Sequence, residues 1–431
     1  MKEIEKYESK VRSYCRSFPV VFDRAEGADL YDTDGRRYVD FFSGAGALNY
    51  GHNDPGMRDR LIEYLSRGAI VHGLDMATVA KQDLLERFDE VILKPRGLSY
   101  KVQFPGPTGT NSVEAALKLA RKVTGREKIV SFTNAFHGMT LGSLSMTGNA
   151  FKRQGAGVSL TMSLCMPFEG YFGDEVDTIE YIDRLIEDSG SGVDQPAAAI
   201  VETVQAEGGV NVASDAWLRR LEELCRRHDM LLIVDDIQVG CGRTGPFFSF
   251  ERAGVRPDIV CLSKSLSGFG LPLAFTLIKP ELDCWEPGEH NGTFRGHNPA
   301  FVTATEALRF WKDDALTRAV EEKGAFVRDF LETIAREKAS DAPLAQVRGR
   351  GLIQGIDLGS GEVAGAVCRE AFRRGLVIET SGPESNVVKA LPPLTIDRDC
   401  LEEGLDILAK SMDVGIASAR AEARKAAGAG R

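Results

Sequence analysis

A short apolar, β-branched run that stops at a polar or glycine-rich loop, and is then followed by a helical pattern, recurs along the chain. The clearest runs are KVQF before PGPTGTN, KIVSF before TNAFHG, AAAIV before ETVQAEGG, MLLIV before DDIQVGCGRTG and DIVCL before SKSLSG. Apolar strands that alternate with amphipathic helices predict an α/β fold, in which helices cover both faces of a mostly parallel sheet. Ligands of such sheets bind beyond the carboxyl ends of the strands, where these loops lie.

The helix predicted after PGPTGTN has the most regular pattern. Its apolar face is formed by Val113, Ala116, Leu117, Ala120 and Val123. Asn111 and Glu114 have the spacing of an N-terminal cap. Gly109 and Thr110 would then lie where backbone N–H groups are free and the helix dipole is positive, which suits a phosphate or a carboxylate. Most helix starts of this form are structural, so this one alone does not establish a binding site.

Composition and charge narrow the class of protein. The chain has 431 residues, and 53 Lys and Arg stand against 63 Asp and Glu, which gives a formal net charge of −10. This balance argues against a nucleic-acid groove or an anionic membrane surface as partner, because both require concentrated positive charge. The hydrophobic fraction of 43% is that of a globular protein. The length predicts a large domain and at least one smaller one.

Neither a membrane span nor a metal site is expected. No apolar run approaches the roughly 18 residues that a membrane span needs. The N-terminus, MKEIEKYESKVR, alternates charges where a signal peptide has an apolar block, so we expect a cytoplasmic protein. The eight cysteines include no C-x-x-C pair, and no histidine pair has zinc-binding spacing, so we expect reduced thiols and no metal.

Two predicted strands end in ionisable side chains. The run MLLIV leads to Asp235, Asp236 and Gln238, and the run DIVCL leads to Ser263 and Lys264. A carboxylate at a strand end is costly to bury unless a cation pairs with it. Burial lowers the pKa of a lysine and makes its neutral amine available as a nucleophile or base.

Pyridoxal phosphate requires an acid, a lysine and an anion-binding helix start, and the sequence predicts all three at one edge of the sheet. Lys264 would form the Schiff base, Asp235 would keep the pyridine nitrogen protonated, and the helix start would hold the phosphate. Phe136, in the strand-end loop NAFHG, is available to stack on the ring. Each residue taken singly has an ordinary structural explanation, whereas the combination predicts a pyridoxal phosphate site.

Seven segments carry a resemblance to a known family. They are LNYGH at 48–52, TGTNSVEAALKLAR at 108–121, AFHG at 135–138, ETVQAEGG at 202–209, VDDIQVGCGRTG at 234–245, SKSLSG at 263–268 and GTFRGHNP at 292–299. Together they resemble the class III aminotransferases, pyridoxal phosphate enzymes with the aspartate-aminotransferase-type fold, also called fold type I. The likeness runs from about residue 15 to residue 410.

The resemblance implies roles for the cofactor-binding residues. Lys264 resembles the lysine that forms the Schiff base and then shuttles the proton, and Asp235 resembles the partner of the pyridine nitrogen. The other positions implied at the cofactor are Gly109 and Thr110 at the phosphate, Phe136 over the ring, His137 beside it and Gln238 at the ring oxygen. Thr293 resembles a threonine that reaches the phosphate from the neighbouring subunit. This implies a homodimer with shared active sites, and a dimer of dimers is the open alternative.

The substrate-binding positions include two departures from the family pattern. Glu207 resembles a glutamate that pairs with a substrate-binding arginine in related ω-aminotransferases. Lys389 replaces the arginine that commonly precedes the Pro-Pro element, so a bidentate grip on a carboxylate becomes a single contact. Met139 stands where several relatives carry a second arginine. Arg243 is a candidate for the second carboxylate of glutamate, and bracing of the GRTG loop is the alternative.

Within the family, three segments are most similar to the branch that makes diaminobutyrate for ectoine synthesis: VRSYCRSFPVVF, FFSGAGALNYGHNDP and GLVIETSGPESNVVKALPPLTI. That likeness implies amino transfer between L-glutamate and L-aspartate 4-semialdehyde, giving L-2,4-diaminobutyrate and 2-oxoglutarate, in a pathway used against osmotic stress. Three alternatives stay open. They are another ω-amino acid or diamine transaminase, including a diaminobutyrate enzyme of a different pathway, a pyridoxal phosphate aminomutase, and a non-catalytic protein that binds the cofactor.

The family fold implies a division of the chain into three parts. We expect residues 1–54 to belong to the small domain, residues 55–315 to form the large cofactor-binding domain, and residues 316–431 to complete the small domain. A nicotinamide dehydrogenase and a nucleotide kinase are not supported, because the glycine motifs that each requires are missing.

Overall fold

A seven-stranded sheet forms the centre of the molecule. The computed structural model describes residues 1–337 and 346–429. In spatial order the strands are Lys101–Gln103, Phe275–Ile278, Ile259–Leu262, Leu231–Asp235, Ala198–Val201, Ile129–Phe132 and Ser163–Met166. Strand Phe275–Ile278 runs antiparallel to both neighbours, and the other six run parallel to one another. The five apolar runs form five of these strands, which confirms the mostly parallel sheet.

The central strands are buried on both faces because successive side chains point in opposite directions. On one face, four isoleucines pack against helix Gly109–Thr124, namely Ile129, Ile200, Ile233 and Ile259. On the other face, their chain neighbours join the largest core with helix Asp215–Arg227, namely Val130, Val201, Val234 and Val260. The apolar runs are continuous rather than alternating because each strand is covered twice.

Helices surround the sheet and continue into the C-terminal part of the chain. The longer ones are Pro55–Ser66, Val79–Phe88, Gly109–Thr124, Thr178–Glu187, Asp215–Arg227, Asn298–Ala307, Ala315–Glu337, Gly361–Arg373 and Arg398–Ala429. Shorter helices are Lys2–Tyr7, Tyr14–Ser17, Ser43–Gly46, Leu141–Met146 and Ala150–Arg153.

The helix after PGPTGTN begins earlier than its sequence pattern predicts. It starts at Gly109, and Thr108 is the N-cap, so the prediction that Asn111 caps the helix is wrong. Asn111 Oδ1 instead accepts from the Thr108 backbone N–H at 3.2 Å and from its hydroxyl at 2.8 Å. Glu114 accepts from the backbone N–H of Ser143 at 3.0 Å and so serves the next helix. Gly109 remains in the first turn, where N–H groups have no acceptor within the helix.

Two four-stranded sheets join segments that are distant in sequence. One contains Phe22–Glu26, Asp29–Asp32, Arg37–Asp40 and Leu376–Val377, and the other contains Gln346–Arg350, Ile353–Asp357, Val387–Ala390 and Glu379–Ser381. A two-stranded ribbon pairs Val204–Gln205 with Asn211–Val212. The first sheet thus unites N-terminal and C-terminal strands, while the division of the chain into three parts stays a prediction.

Two further properties concern the helices and the thiols. Within the described ranges, no helix is both long and apolar enough to cross a membrane. The eight cysteines all lie in those ranges and are free thiols, although Cys165 and Cys284 are exposed.

Two helical glycines provide a test of packing against intrinsic helix propensity. A Cβ on Gly324 would lie 2.5 Å from the Gly351 carbonyl oxygen, whereas a Cβ on Gly365 would meet only the flexible end of Arg369. We expect Gly324→Ala to destabilise the protein by about 2 kcal/mol through overpacking. Gly365→Ala should stabilise it by up to about 1 kcal/mol, since alanine is the better helix former.

The measurement is denaturant unfolding of both variants beside the wild type. Equal stabilities of Gly324→Ala and Gly365→Ala would contradict the close approach of the backbone at Gly351.

Candidate active site

A cavity of about 600 Å³, including its open mouth, lies at the carboxyl edge of the central sheet. It is lined by Gly109, Thr110, Phe136, His137, Gly138, Glu202, Glu207, Asp235, Ile237, Gln238, Val239 and Lys264. Eight of these residues are among the predicted site residues. The structure therefore brings together side chains from four strand-end loops and one helix start.

Asp235 and His137 form a buried pair in this cavity. Asp235 ends strand Leu231–Asp235, and its Oδ2 lies 2.7 Å from His137 Nδ1. Burial disfavours the charged imidazole, but the hydrogen bond and charge of Asp235 outweigh burial and raise the pKa of His137. His137 Nε2 is buried and has no hydrogen-bond partner in the part of the chain that the structure describes. Asp235 therefore favours the protonated form of the imidazole beside the cavity.

Glu202 is a cavity residue that the sequence interpretation missed. It follows strand Ala198–Val201, and its Oε2 accepts from the Phe136 backbone N–H at 2.9 Å. Burial raises the pKa of Glu202 to about 8, because the neighbouring imidazole only partly offsets the loss of solvent. An acid directly after a buried strand is the same signal that identified Asp235, so the sequence contained the clue.

Lys264 projects into the cavity from a strained backbone position. It opens the 3-10 turn Lys264–Ser267 with a φ of 48°, in the left-handed region that costs a non-glycine residue about 1 kcal/mol or more. Hydrogen bonds on both sides hold this turn: Ser263 Oγ donates to the Leu273 carbonyl and Ser265 Oγ to the Gly46 carbonyl, both at 2.7 Å. Burial lowers the pKa of Lys264 to about 8.

The first turn of helix Gly109–Thr124 forms the opposite end of the cavity. A Cβ on Gly109 would lie 2.9 Å from Ile237 Cδ1, so the close approach of these two walls requires glycine. Thr110 Oγ1 lies 2.6 Å from Ser143 Oγ and 2.7 Å from Thr140 Oγ1. This group of hydroxyls and free backbone N–H groups provides donors for an anion.

Gln238 connects two segments of the chain that meet at the cavity. Its Nε2 donates to the Ala45 carbonyl at 2.7 Å and to Glu207 Oε1 at 3.2 Å. Its Oε1 is buried and has no partner among the described residues. The free atom is thus an acceptor, and a donor contact to a ring oxygen requires the amide to turn.

Glu207, Lys389 and Glu379 form a buried charge cluster next to the cavity. Lys389 Nζ lies 2.7 Å from Glu207 Oε1 and 2.9 Å from Glu379 Oε1. Burial disfavours the charged lysine, but the two carboxylates raise the pKa of Lys389 above its ordinary value. Burial likewise raises the pKa of Glu379, whereas Lys389 outweighs burial at Glu207 and lowers its pKa. Glu379 was not predicted.

Arg243 and Thr293 lie apart from the lining residues. Arg243 is fully buried, and its Nη atoms donate to the carbonyl oxygens of Leu352 and Pro392 and to Asn49 Oδ1, at 2.5–2.9 Å. This favours the bracing alternative over a contact with substrate. Thr293 is exposed in turn Thr293–Gly296, and its carbonyl accepts from His72 Nε2 at 2.8 Å.

Comparison with known proteins decides the family. The family model described as "Aminotransferase class-III" matches residues 12–412. The chain belongs to this family. Class III aminotransferases have the type I fold and use pyridoxal 5'-phosphate, and both statements hold for this chain.

Individual class III relatives cover nearly the whole chain. The diaminobutyrate–2-oxoglutarate transaminase of Halalkalibacterium halodurans is 58% identical over 412 residues, which are 96% of each chain. That of Streptomyces avermitilis is 60% identical over 410 residues, 95% of this chain and 96% of its own. Among solved structures, the ornithine aminotransferase from Toxoplasma gondii covers 97% of this chain and 95% of its own, with a TM-score of 0.83 and 26% identity.

The donor set of the cavity fits the cofactor of the class III family. A helix start suits the phosphate, and a carboxylate backed by an imidazole suits the pyridine nitrogen. Two buried polar atoms, His137 Nε2 and Gln238 Oε1, lack partners within the described residues, and both residues line the cavity. Buried polar atoms without partners are uncommon, so a polar ligand accounts for them.

Glu202 gives a prediction of pH dependence. Glu202→Gln keeps an acceptor for the Phe136 N–H and removes the ionisable group. The folded protein holds a proton on Glu202 up to about pH 8, whereas the ordinary value is 4.5. Wild-type stability should therefore fall relative to that of the variant as the pH rises between these values, by up to about 1.4 kcal/mol per pH unit.

The test is urea unfolding of the wild type and Glu202→Gln at about pH 5 and about pH 8, two values that span most of this pH range. Glu223→Gln, which removes an exposed glutamate of helix Asp215–Arg227, is the matched control for loss of charge. A difference between wild type and Glu202→Gln that is the same at both pH values would contradict a protonated Glu202.

Proposed function

We propose that this chain transfers an amino group from L-glutamate to L-aspartate 4-semialdehyde, giving L-2,4-diaminobutyrate and 2-oxoglutarate, as the first step of ectoine synthesis. The observation that carries the proposal is the 57–61% identity, over nearly full length, to proteins named diaminobutyrate–2-oxoglutarate transaminase. The cavity supports the proposal, because a lysine, an acid and an anion-binding helix start meet there at one edge of the sheet. A cytoplasmic location, as predicted from the sequence, accords with these metabolites.

Lys264 is the proposed catalytic base. When bound, pyridoxal phosphate accepts an amino group from the donor and delivers it to the acceptor, with its ring as electron sink. The lowered pKa of Lys264, about 8, leaves part of its amine neutral near pH 7. A neutral Nζ in the cavity can take a proton from the substrate carbon that carries the amino group and return it later. The fixed turn around Lys264 holds that amine in place.

Asp235 is proposed to hold the proton of the pyridine nitrogen. Its Oδ2 is bound to His137, and its Oδ1 accepts from the Ile237 backbone N–H at 3.2 Å. These two hydrogen bonds fix the orientation of the Asp235 side chain, and a carboxylate beside the pyridine nitrogen favours a proton on that nitrogen. Glu202 fixes the loop by binding the Phe136 N–H, and so positions the ring of Phe136.

Four further residues are proposed to orient the cofactor and exclude water. Gly109 and Thr110 would bind the phosphate through the helix start. Phe136 would cover one ring face, and Lys152 Nζ lies 4.1 Å from the centroid of the Phe136 ring. Gln238 would bind the ring oxygen after its amide turns. Glu207 and Lys389 are proposed to face the non-reacting end of the substrate.

The test of the proposed function is a coupled assay with 2-oxoglutarate as acceptor. We expect diaminobutyrate to be a much better donor than ornithine, lysine and 4-aminobutyrate. Comparable rates for all four would remove the diaminobutyrate specificity and leave another ω-amino acid or diamine transaminase. Formation of an isomeric amino acid without an acceptor would indicate an aminomutase, and a protein that binds the cofactor without turnover would be non-catalytic.

Lys264→Ala should lower the rate by a factor of about 10² or more, because general base catalysis alone contributes that much. The purified wild type should be yellow and lose that colour on addition of diaminobutyrate or glutamate. Normal turnover by Lys264→Ala would contradict the assignment of the base.

A homodimer with shared sites is also proposed, and a dimer of dimers is the alternative assembly. Thr293 lies in the joined segments 70–76 and 293–297, which also carry exposed apolar side chains. These are Ile70, Val71, Met76 and Phe294, between 47% and 64% exposed. An apolar surface of this kind is typical of an interface. A second copy that covers it would bring Thr293 to the phosphate end of its neighbour's cavity.

Mixed dimers test the shared site. Lys264→Ala and Thr293→Glu should each impair activity, the second by repulsion of the phosphate. Mixing unfolded chains in equal amounts and refolding them should restore about a quarter of wild-type activity, because half of the dimers are mixed and each has one intact site. If Thr293 acted on the cavity of its own subunit, mixing would restore nothing.

A further inference from the structure

Glu379 is the member of the charge cluster that lacks a cation of its own. The cluster contains two carboxylates, Glu207 and Glu379, and one ammonium, Lys389. Lys389 donates a hydrogen bond to Glu207 Oε1 at 2.7 Å. Its 2.9 Å contact with Glu379 Oε1 lacks hydrogen-bond geometry, and that oxygen is buried with no hydrogen-bond partner in the described ranges. With all three groups ionised, the cluster carries one net negative charge.

The pairing of two strands fixes Glu379 in this position. Strand Glu379–Ser381 runs antiparallel to strand Val387–Ala390, and Glu379 stands directly opposite Lys389. Side chains of directly opposite residues share a face of the sheet. The side chain of Glu379 is 10% exposed and that of Lys389 is fully buried, so neither charge is dispersed by solvent.

Glu379 lies close to the cavity as well as to Lys389. Glu207 lines the cavity. Glu207 Oε1 and Glu379 Oε1 lie 2.7 Å and 2.9 Å from the same atom, Lys389 Nζ, so the two carboxylates are close neighbours. The charges of Glu207, Lys389 and Glu379 all act on Lys264, the proposed catalytic base. Glu207 and Lys264 line the same cavity, so the cluster adjoins the space into which the far end of a short amino acid bound at Lys264 would extend.

Diaminobutyrate and 4-aminobutyrate present different charges at that far end. Both carry the reacting amine on the same carbon and a carboxylate at the other terminus, and diaminobutyrate has an additional α-ammonium group. An ammonium supplies three hydrogen-bond donors and one positive charge. It would complete the hydrogen bonding of Glu379 and neutralise the cluster, which 4-aminobutyrate cannot do.

Resting on the proposed function, we infer that Glu379 is a specificity-determining residue for the half-reaction at the ω-carbon: it selects substrates with an α-ammonium group at the non-reacting end, as diaminobutyrate and L-aspartate 4-semialdehyde have and glutamate has not. Lys389 acts as a positioning residue: it anchors Glu207 and keeps both carboxylates of the cluster on one side of the cavity. A bidentate arginine would satisfy both carboxylates at once, whereas the single ammonium of Lys389 leaves one oxygen of Glu379 for substrate.

The test compares two donors in matched variants of the whole enzyme loaded with its cofactor. Glu379→Gln keeps the size of the side chain and removes its charge. The ratio of kcat/KM for diaminobutyrate to that for 4-aminobutyrate should fall about tenfold or more, the value of one hydrogen bond to a charged group. The loss should appear in KM for diaminobutyrate, while kcat/KM for 4-aminobutyrate stays the same or rises. Glu384→Gln, an exposed glutamate in the loop after the same strand, should leave the ratio unchanged.

Each outcome decides the inference. Equal losses for both donors, or an unchanged ratio in Glu379→Gln, would overturn it. If Glu379→Gln does not fold, Glu379→Asp replaces it: withdrawal of the carboxylate by one methylene should lower the ratio several-fold, and an unchanged ratio would again overturn the inference. A wild type that does not prefer diaminobutyrate would overturn the proposed function, whereas a preference that survives both substitutions would overturn only the role of Glu379.

Discussion

Charged side chains near the buried carboxyl edge of the central sheet must satisfy one another, because little solvent reaches them. Asp235 is paired with His137, and Lys389 is paired with Glu207 and Glu379. Among the described residues, Glu202 has no such cation at hydrogen-bond distance, and burial raises its pKa to about 8. An unpaired charge in such a place would cost several kcal/mol. The chemical character of the cavity therefore depends on these pairs as well as on its shape.

The two pairs divide the cavity by charge. At the cofactor end, a carboxylate and an imidazole face each other, and the helix start adds partial positive charge near Gly109. At the substrate end, two carboxylates share one lysine. The charges of Asp235 and of the cluster both act on the amine of Lys264. The proposed role of Lys264 toward cofactor and substrate therefore depends on both groups of charges.

Much of this arrangement follows from local sequence patterns. The apolar strands, the acid at 235, the lysine at 264 and the apolar face of helix Gly109–Thr124 were predictable, because each depends on neighbours within a few residues. The spacing of Asn111 to Glu114 predicts a capping box, but Thr108 has the same three-residue spacing to Asn111, and Thr108 is the residue that caps the helix.

Contacts between distant segments were harder to predict. Arg243 donates hydrogen bonds to the carbonyl oxygens of Leu352 and Pro392, which are more than 100 residues away. No local sequence pattern predicts these contacts. The cluster at Glu379 depends on the register of two strands. A shift by one residue would turn that side chain to the other face.

The sheet that joins the two ends of the chain has a consequence for the order of folding. Strand Arg37–Asp40 pairs with Leu376–Val377, so about 340 residues separate the two partners. At ribosomal rates of about 5–20 residues per second, the N-terminal strand waits on the order of half a minute before its partner is made. During that time Tyr38, Val39 and Phe41, which are buried in the finished protein, cannot complete their packing. The last strand to be synthesised in this sheet is therefore the one that closes the N-terminal part of the molecule.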